Sequence, residues 1–122
     1  MNVISETISN SHIYDRQVQI FKVLTHPARL AILDILRDGD HCVCHMEAHL
    51  GYRQAYISQQ LAVLREAGLI QDCREGWNIF YRVTDPRIYA VVDAVRDITG
   101  PLEIKLQNTE VLCNCPKCSG QI

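Results

Sequence analysis

Residues 41–50 read HCVCHMEAHL and residues 113–118 read CNCPKC, so five of the six cysteines fall in two short clusters. Cys42 and Cys44 form the first; Cys113, Cys115 and Cys118 form the second; Cys73 stands apart and is read as packing. Thiolates so spaced are soft metal donors. As(III) or Sb(III) favours three of them, and Cd(II), Pb(II) or Zn(II) takes three or four donors, the softer ions preferring sulfur. Two residues apart on a regular helix point to nearly opposite sides, but on an extended segment they point the same way. An ion gripped by Cys42 and Cys44 together is therefore expected to unwind or tilt the helix start that carries them. The tail cysteines are expected to complete that site, or else to hold a second ion. His41, His45 and His49 recur every fourth residue and, with Cys42, offer a zinc set; a plain exposed stripe is the commoner reason for that spacing.

Rival chemistries are weaker. The CPKC stretch resembles a redox-active Cys-x-x-C, but such motifs use a helix N-terminus in a βαβ setting to lower the thiol pKa. This one lies four residues from the last residue of the sequence with no such scaffold around it, so an enzyme is not expected. Exposed, unliganded cysteines in a reducing cytosol are the bland alternative, and three within a six-residue stretch argue against it.

The elements that must position these groups fit one domain. The chain has 122 residues, 48% hydrophobic and 21% charged, an ordinary globular composition. It contains no apolar run near the roughly 20 residues that span a bilayer. The start, MNVISETISNSHIYDRQ, lacks the basic and apolar regions of a signal peptide. A cytoplasmic protein with mostly reduced cysteines is expected. Net charge is −2, yet residues 52–84 hold Arg53, Arg65, Arg74 and Arg82 against Glu66, Asp72 and Glu75, a balance of +1. That asymmetry permits a nucleic-acid-facing side without requiring one.

Residues 1–11 are polar and read as a flexible N-terminus, residues 12–99 as the folded domain and 100–122 as a cysteine-containing tail. A helix is expected from Ser11, with Ile13, Ile20, Phe21 and Leu24 on one face. THPARLAILDILRDG supplies a second, with Pro27 at a first helical position and Gly39 after its end. A short helix carries Val43, Met46 and Leu50 and is closed by Gly51. RQAYISQQLAVLREAG is a stronger one, with Ile57, Leu61 and Leu64 inward and Gly68 as its stop. LIQDCRE and NIFYRVT alternate about EGWN as a β-hairpin. Ile88, Val91, Val92, Val95 and Ile98 then mark a last helix, broken by Gly100-Pro101.

Short helix, glycine turn, longer helix and two-stranded hairpin is the order of a winged helix-turn-helix. With Ile57, Leu61 and Leu64 buried, Ala55, Gln59 and Ala62 point directly away, flanked by Tyr56 and Ser58. Small and amide side chains near a helix N-terminus suit a major groove, where Gln pairs bidentately with adenine and an alanine methyl meets a thymine methyl. Arg53, Gln54 and Ser58 are candidate phosphate anchors, aided by the helix N-terminus. A solvated helix face is the plain alternative for that face alone; wing and turn in register favour DNA.

The stretches LTHPARLAILDIL, HLGYRQAYISQQLAVLREAGLI and REGWNIFYRVTDP resemble the ArsR/SmtB family of metal-responsive repressors, over roughly Ile20 to Ile98 and in the family's order. The resemblance implies a mainly α fold with a small β-hairpin, a winged helix-turn-helix dimerised through its first and last helices, here Ile20, Ile88, Val92 and Val95. It implies a homodimer that represses transcription at an inverted-repeat DNA operator and leaves when a thiophilic ion binds, with Cys42-Val43-Cys44 in the register of the family's Cys-x-Cys pair. In such a dimer the tail cysteines can approach either subunit. Family members often carry a small polar cap where Arg53 stands and a wing-tip arginine where Trp77 stands, which leaves backbone contact to Arg74 or Arg82. Zinc-responsive relatives use carboxylates and histidines on the last helix; Asp93 and Asp97 are present, histidines are not, and that site is not expected. The alternatives are a dithiol redox or persulfide-sensing repressor of the same fold, or a constitutive DNA binder with a structural zinc tail.

Overall fold

The computed structural model describes residues 3–100, with side chains from residue 12 onward. The elements run α1 (Val3–Leu24), α2 (Pro27–Leu36), β1 (His41–Cys42), α3 (Val43–Leu50), α4 (Gln54–Glu66), β2 (Ile70–Glu75), β3 (Asn78–Val83) and α5 (Ile88–Thr99). A mainly helical chain with a small antiparallel sheet, the expected winged helix-turn-helix, is what forms.

Each helix boundary has a local cause. Pro27 opens α2, where its missing N–H costs nothing. Gly51 closes α3 at φ 73°, in the left-handed region that glycine enters without strain. The helix α1 differs from expectation: it begins at Val3, so residues 3–11, read as flexible, are helical. Polarity alone is not a stop signal, and neither proline nor glycine occurs before Pro27.

The sheet also exceeds expectation. Beyond the β2–β3 hairpin, whose turn is Gly76-Trp77, a third strand joins in the order β1-β3-β2. His41 pairs with Tyr81 and Cys42 with Phe80. Two residues are too few to leave a periodic signal, which is why the pattern pointed to a hairpin alone.

The core lies between α2, α3, α4 and the sheet. Ile32, Leu33, Met46, Ile57, Leu61, Leu64 and Ile70 are essentially inaccessible. Each such side chain removed from water contributes roughly 1.5–3 kcal/mol. The expected inward stripe of α4 is thus the one that packs. The last helix behaves differently: Ile88 and Val92, read as subunit contacts, are buried within this chain, and Ile88 belongs to its core. The stripe on α5 is broad enough that its inner edge closes the protomer while Val95 (52% exposed) and Ile98 (84%) stay outside. Ile20 is half-buried against the same core.

Candidate nucleic-acid interface and thiol pair

The helix α4 buries Ile57, Leu61 and Leu64 and leaves Arg53, Gln54, Ala55, Ser58 and Gln59 exposed. Its first-turn N–H groups have no side-chain cap, since Arg53 occupies the N-cap position without capping. Uncapped N–H groups and the positive end of the helix dipole face the same direction, a ready donor site for a phosphate oxygen. Tyr56 is only half-exposed: its Oη lies 3.4 Å from His26 Nε2 and its ring tilts against Tyr52. It supports the exposed face from one side and is not a fully presented contact.

The two arginines expected on the wing differ in their surroundings. Arg74 is exposed on β2. Arg82 is engaged within the chain: Nη2 is 2.8 Å from Asp40 Oδ2 and its Nε is buried without a hydrogen-bond partner. The ion pair ties β3 to the loop before β1, a use of arginine that charge counting does not distinguish from phosphate contact. At the wing tip Trp77 is fully exposed (102%).

Cys42 is the last residue of β1 and the extended N-cap residue of α3 (φ −93°, ψ 168°), and Cys44 lies in the first turn. Their Sγ atoms are 3.0 Å apart; Cys42 keeps its thiol, whereas Cys44 is disulfide-bonded, a departure from the expectation of reduced cysteines. The expectation that only an unwound helix brings the sulfurs together is therefore corrected. The strand-to-helix junction already points them the same way, because one half of the pair is extended. The pair sits where the third strand of the sheet meets the helix that packs behind α4.

Two sulfurs are short of the three or four donors expected for As(III), Cd(II) or Pb(II). Among the described residues, no group of three or more His, Cys, Asp or Glu is arranged to hold an ion. The set of His41, His45 and His49 with Cys42 is not drawn together as such a group. The imidazoles instead form a ladder, His41 over His45 at 4.1 Å and nearly parallel, His45 against His49 at 4.3 Å. Cys113, Cys115 and Cys118 lie outside the described residues. Cys73 is half-buried on β2, paired with Phe80.

On the opposite side, Tyr14, Val18 and Phe21 of α1 are exposed at helical spacing, as are Val95 and Ile98 of α5. Between the two helices runs an apolar groove of about 540 Å³ lined by Phe21, Leu24, Leu30, Val92 and Val95, with Asp34 and Arg96 at its polar edge. Asp93 is engaged by Arg37 at 2.8 Å, while Asp97 is exposed.

One residue that sequence patterning misses is Gln60. It stands in a run of two glutamines of which one points out and the other is buried, and only its place beside the Ile57–Leu61–Leu64 stripe signals the difference.

Comparison with known proteins follows the same lines. Residues 26–72, from the start of α2 into β2, match the profile described as "Bacterial regulatory protein, arsR family". A biofilm growth-associated repressor of Agrobacterium fabrum is 42% identical over 76 residues, 62% of this chain and 65% of the relative, just under two thirds of its length. The arsenic resistance transcriptional regulator ArsR1 of Pseudomonas putida is 36% identical over 96 residues, covering 71% of this chain and 74% of the relative. Among solved structures, a homodimeric winged helix-turn-helix DNA-binding domain from Mycobacterium bovis, described as a possible ArsR-family regulator, superposes with a TM-score of 0.66 at 29% identity. The match covers 74% of this chain and 86% of that one.

Proposed function

Since this chain belongs to the ArsR family of bacterial regulatory proteins, we propose that it is a homodimeric transcriptional repressor whose grip on an inverted-repeat operator is released by a thiophilic ion at Cys42 and Cys44. In this reading Ala55, Ser58 and Gln59 of α4 enter the major groove, Arg53, Gln54 and the α4 N-terminus bind phosphate, and Arg74 follows the backbone from the wing. The exposed apolar stripes of α1 and α5 meet their copies in the second subunit, with Val95 and Ile98 at the seam. Half-sites then lie about one duplex turn apart.

One observation carries the regulatory half: the two Sγ atoms 3.0 Å apart at the joint of β1 and α3. Cys44 is disulfide-bonded in this arrangement; on its reduction the pair becomes two convergent soft donors, and Cys113, Cys115 or Cys118 supplies the remainder, As(III), Cd(II) or Pb(II) being favoured over Zn(II). The bound ion supplies charge and a fixed donor geometry. This chain's own contribution is to convert that geometry into a shift of α3 and β1, and with them of α4 and the wing. No membrane-crossing helix is present among the described residues, in keeping with a repressor working on chromosomal DNA in the cytoplasm.

The test is a titration of reduced protein with arsenite, cadmium, lead and zinc, following thiolate ultraviolet absorption and affinity for a duplex selected from a random library by the protein itself. The expected result is parallel thiolate absorption and DNA release with at least one ion. Release by an oxidant without any ion, and by no ion in reduced protein, overturns the metal reading in favour of a dithiol switch.

A further inference from the structure

The corner between α1 and α2 reaches α4 twice. His26 Nε2 lies 3.4 Å from Tyr56 Oη, and Arg29 Nε donates to Gln60 Oε1 at 2.8 Å. Arg29 Nη1 also donates, at 3.3 Å, to the carbonyl of Val23 in the last turn of α1. Tyr56 and Gln60 are four residues apart and stand one above the other on α4. The result is a two-rung clasp between the end of the first helix and the helix placed in the groove.

Gln60 is buried to 6% exposure, the one buried polar or charged residue among those described. At about 100° per residue it lies about 60° from Ile57, on the flank between the packed stripe and the face that holds Gln59. Filling that space needs no amide; a leucine would do so without desolvating polar atoms. What the amide adds is direction. Apolar packing tolerates rotation of a helix about its axis, whereas a 2.8 Å bond from a planar guanidinium to one oxygen does not.

We infer that Arg29 and Gln60 are positioning residues for operator binding. The clasp fixes the rotation of α4 relative to α1, and α1 carries part of the proposed subunit contact. The angle and separation of the two groove-entering helices in the dimer are thereby set by one part-buried side-chain bond in each subunit. This rests on α4 being the groove-entering element and on the dimer proposed above.

The test uses the full chain and the duplex it selects from a random library, alongside the same duplex with one base pair inserted between half-sites. Replacing both partners, Arg29→Met with Gln60→Leu, removes donor and acceptor of the 2.8 Å bond together and frees only the part-buried Val23 carbonyl at the end of α1, an exchange expected to cost little in folding. The double variant is expected to dimerise and melt cooperatively, to bind the selected duplex about tenfold more weakly or worse, and to lose most of the penalty for the inserted base pair. Gln60→Glu retains an acceptor for Arg29 and is expected to keep affinity within about threefold, with the spacing penalty intact. If the double variant melts early, Arg29→Lys is read for the same two quantities, and its loss of spacing discrimination supports the clasp. Wild-type affinity and wild-type spacing discrimination in the double variant, or in Arg29→Lys where that is used, overturn the inference. Gln59→Ala, measured in parallel, separates the two levels: if it weakens binding while the clasp variants do not, only the clasp falls. If it too has no effect, the assignment of α4 falls with it.

Discussion

Tyr89 donates its hydroxyl proton to the carbonyl oxygen of Leu33 across 2.6 Å, pinning α5 to α2. The guanidinium of Arg37 covers the same ring at 4.4 Å. Burial raises the Tyr89 hydroxyl pKa to about 12. A folded-state pKa above the unfolded value of about 10 means a stability contribution that is complete below pH 10 and lost as pH rises through 12. In an ultraviolet titration, one tyrosine should ionise late, near pH 12. Tyr89→Phe should abolish that late step and cost about 1 kcal/mol of stability at pH 7. A late step that survives the substitution assigns it to another tyrosine.

The carboxylate of Asp93 is held below its ordinary pKa by the hydrogen bond from Arg37, which spans from α2 to α5. A lowered folded-state value gives stability that is present above the unfolded carboxylate pKa near 4 and disappears as pH falls through the folded one. Asp93→Asn should therefore melt below wild type at pH 7 and converge with it in strong acid. A gap independent of pH between 7 and 2 would mean that the charge is not what matters there.

Replacement of Cys42 by serine removes one sulfur and keeps a small polar side chain at the β1–α3 junction. Operator affinity should stay within about threefold of wild type, since folding loses at most a small buried group. Ion-induced release should be abolished, measured as the change in duplex affinity on adding arsenite or cadmium to reduced protein. Normal release by the variant would place the switch elsewhere.

Trp77 is the sole tryptophan and stands fully exposed at the turn between β2 and β3, within the same wing as Arg74. Its emission therefore reports on the wing tip alone. Binding of the selected duplex should shift or quench that emission, because an indole near a groove meets sugar and base surfaces in place of water. Trp77→Ala should weaken binding by roughly 1 kcal/mol or less if contact is with the backbone and by more if the ring wedges into a base step. Unchanged emission on saturation would keep the tip clear of DNA.

Much of this architecture was legible in the sequence because it is periodic. Ile57, Leu61 and Leu64 at helical spacing locate the packed side of α4, and by subtraction the exposed Gln59. Gly51 and Gly68 punctuate the helices, and EGWN marks the hairpin. What escaped are pairings that carry no period. The strand β1 has two residues, and its existence depends on Phe80 and Tyr81 some forty positions away. Arg82 looks the same in sequence whether it meets a phosphate or Asp40. On α5, one apolar stripe serves two surfaces, so Ile88 and Val92 are indistinguishable by pattern from Val95. The convergence of Cys42 and Cys44 was hidden for the same reason as β1: a helix was extended one residue too far toward the N-terminus.

The attachment of β1 to β3 rests on two residue pairs, His41 with Tyr81 and Cys42 with Phe80. At about 0.5–1.5 kcal/mol per hydrogen bond, so short a seam is worth only a few kcal/mol. Effectors commonly move regulatory equilibria by about 1–3 kcal/mol. In the proposed switch, the joint beside the thiols, to which the Arg82–Asp40 ion pair also contributes, is a tie that a single small guest can undo while the interlocked interior around Leu61 stays intact. A hinge of that strength would let the proposed repressor change its hold on its target without approaching denaturation.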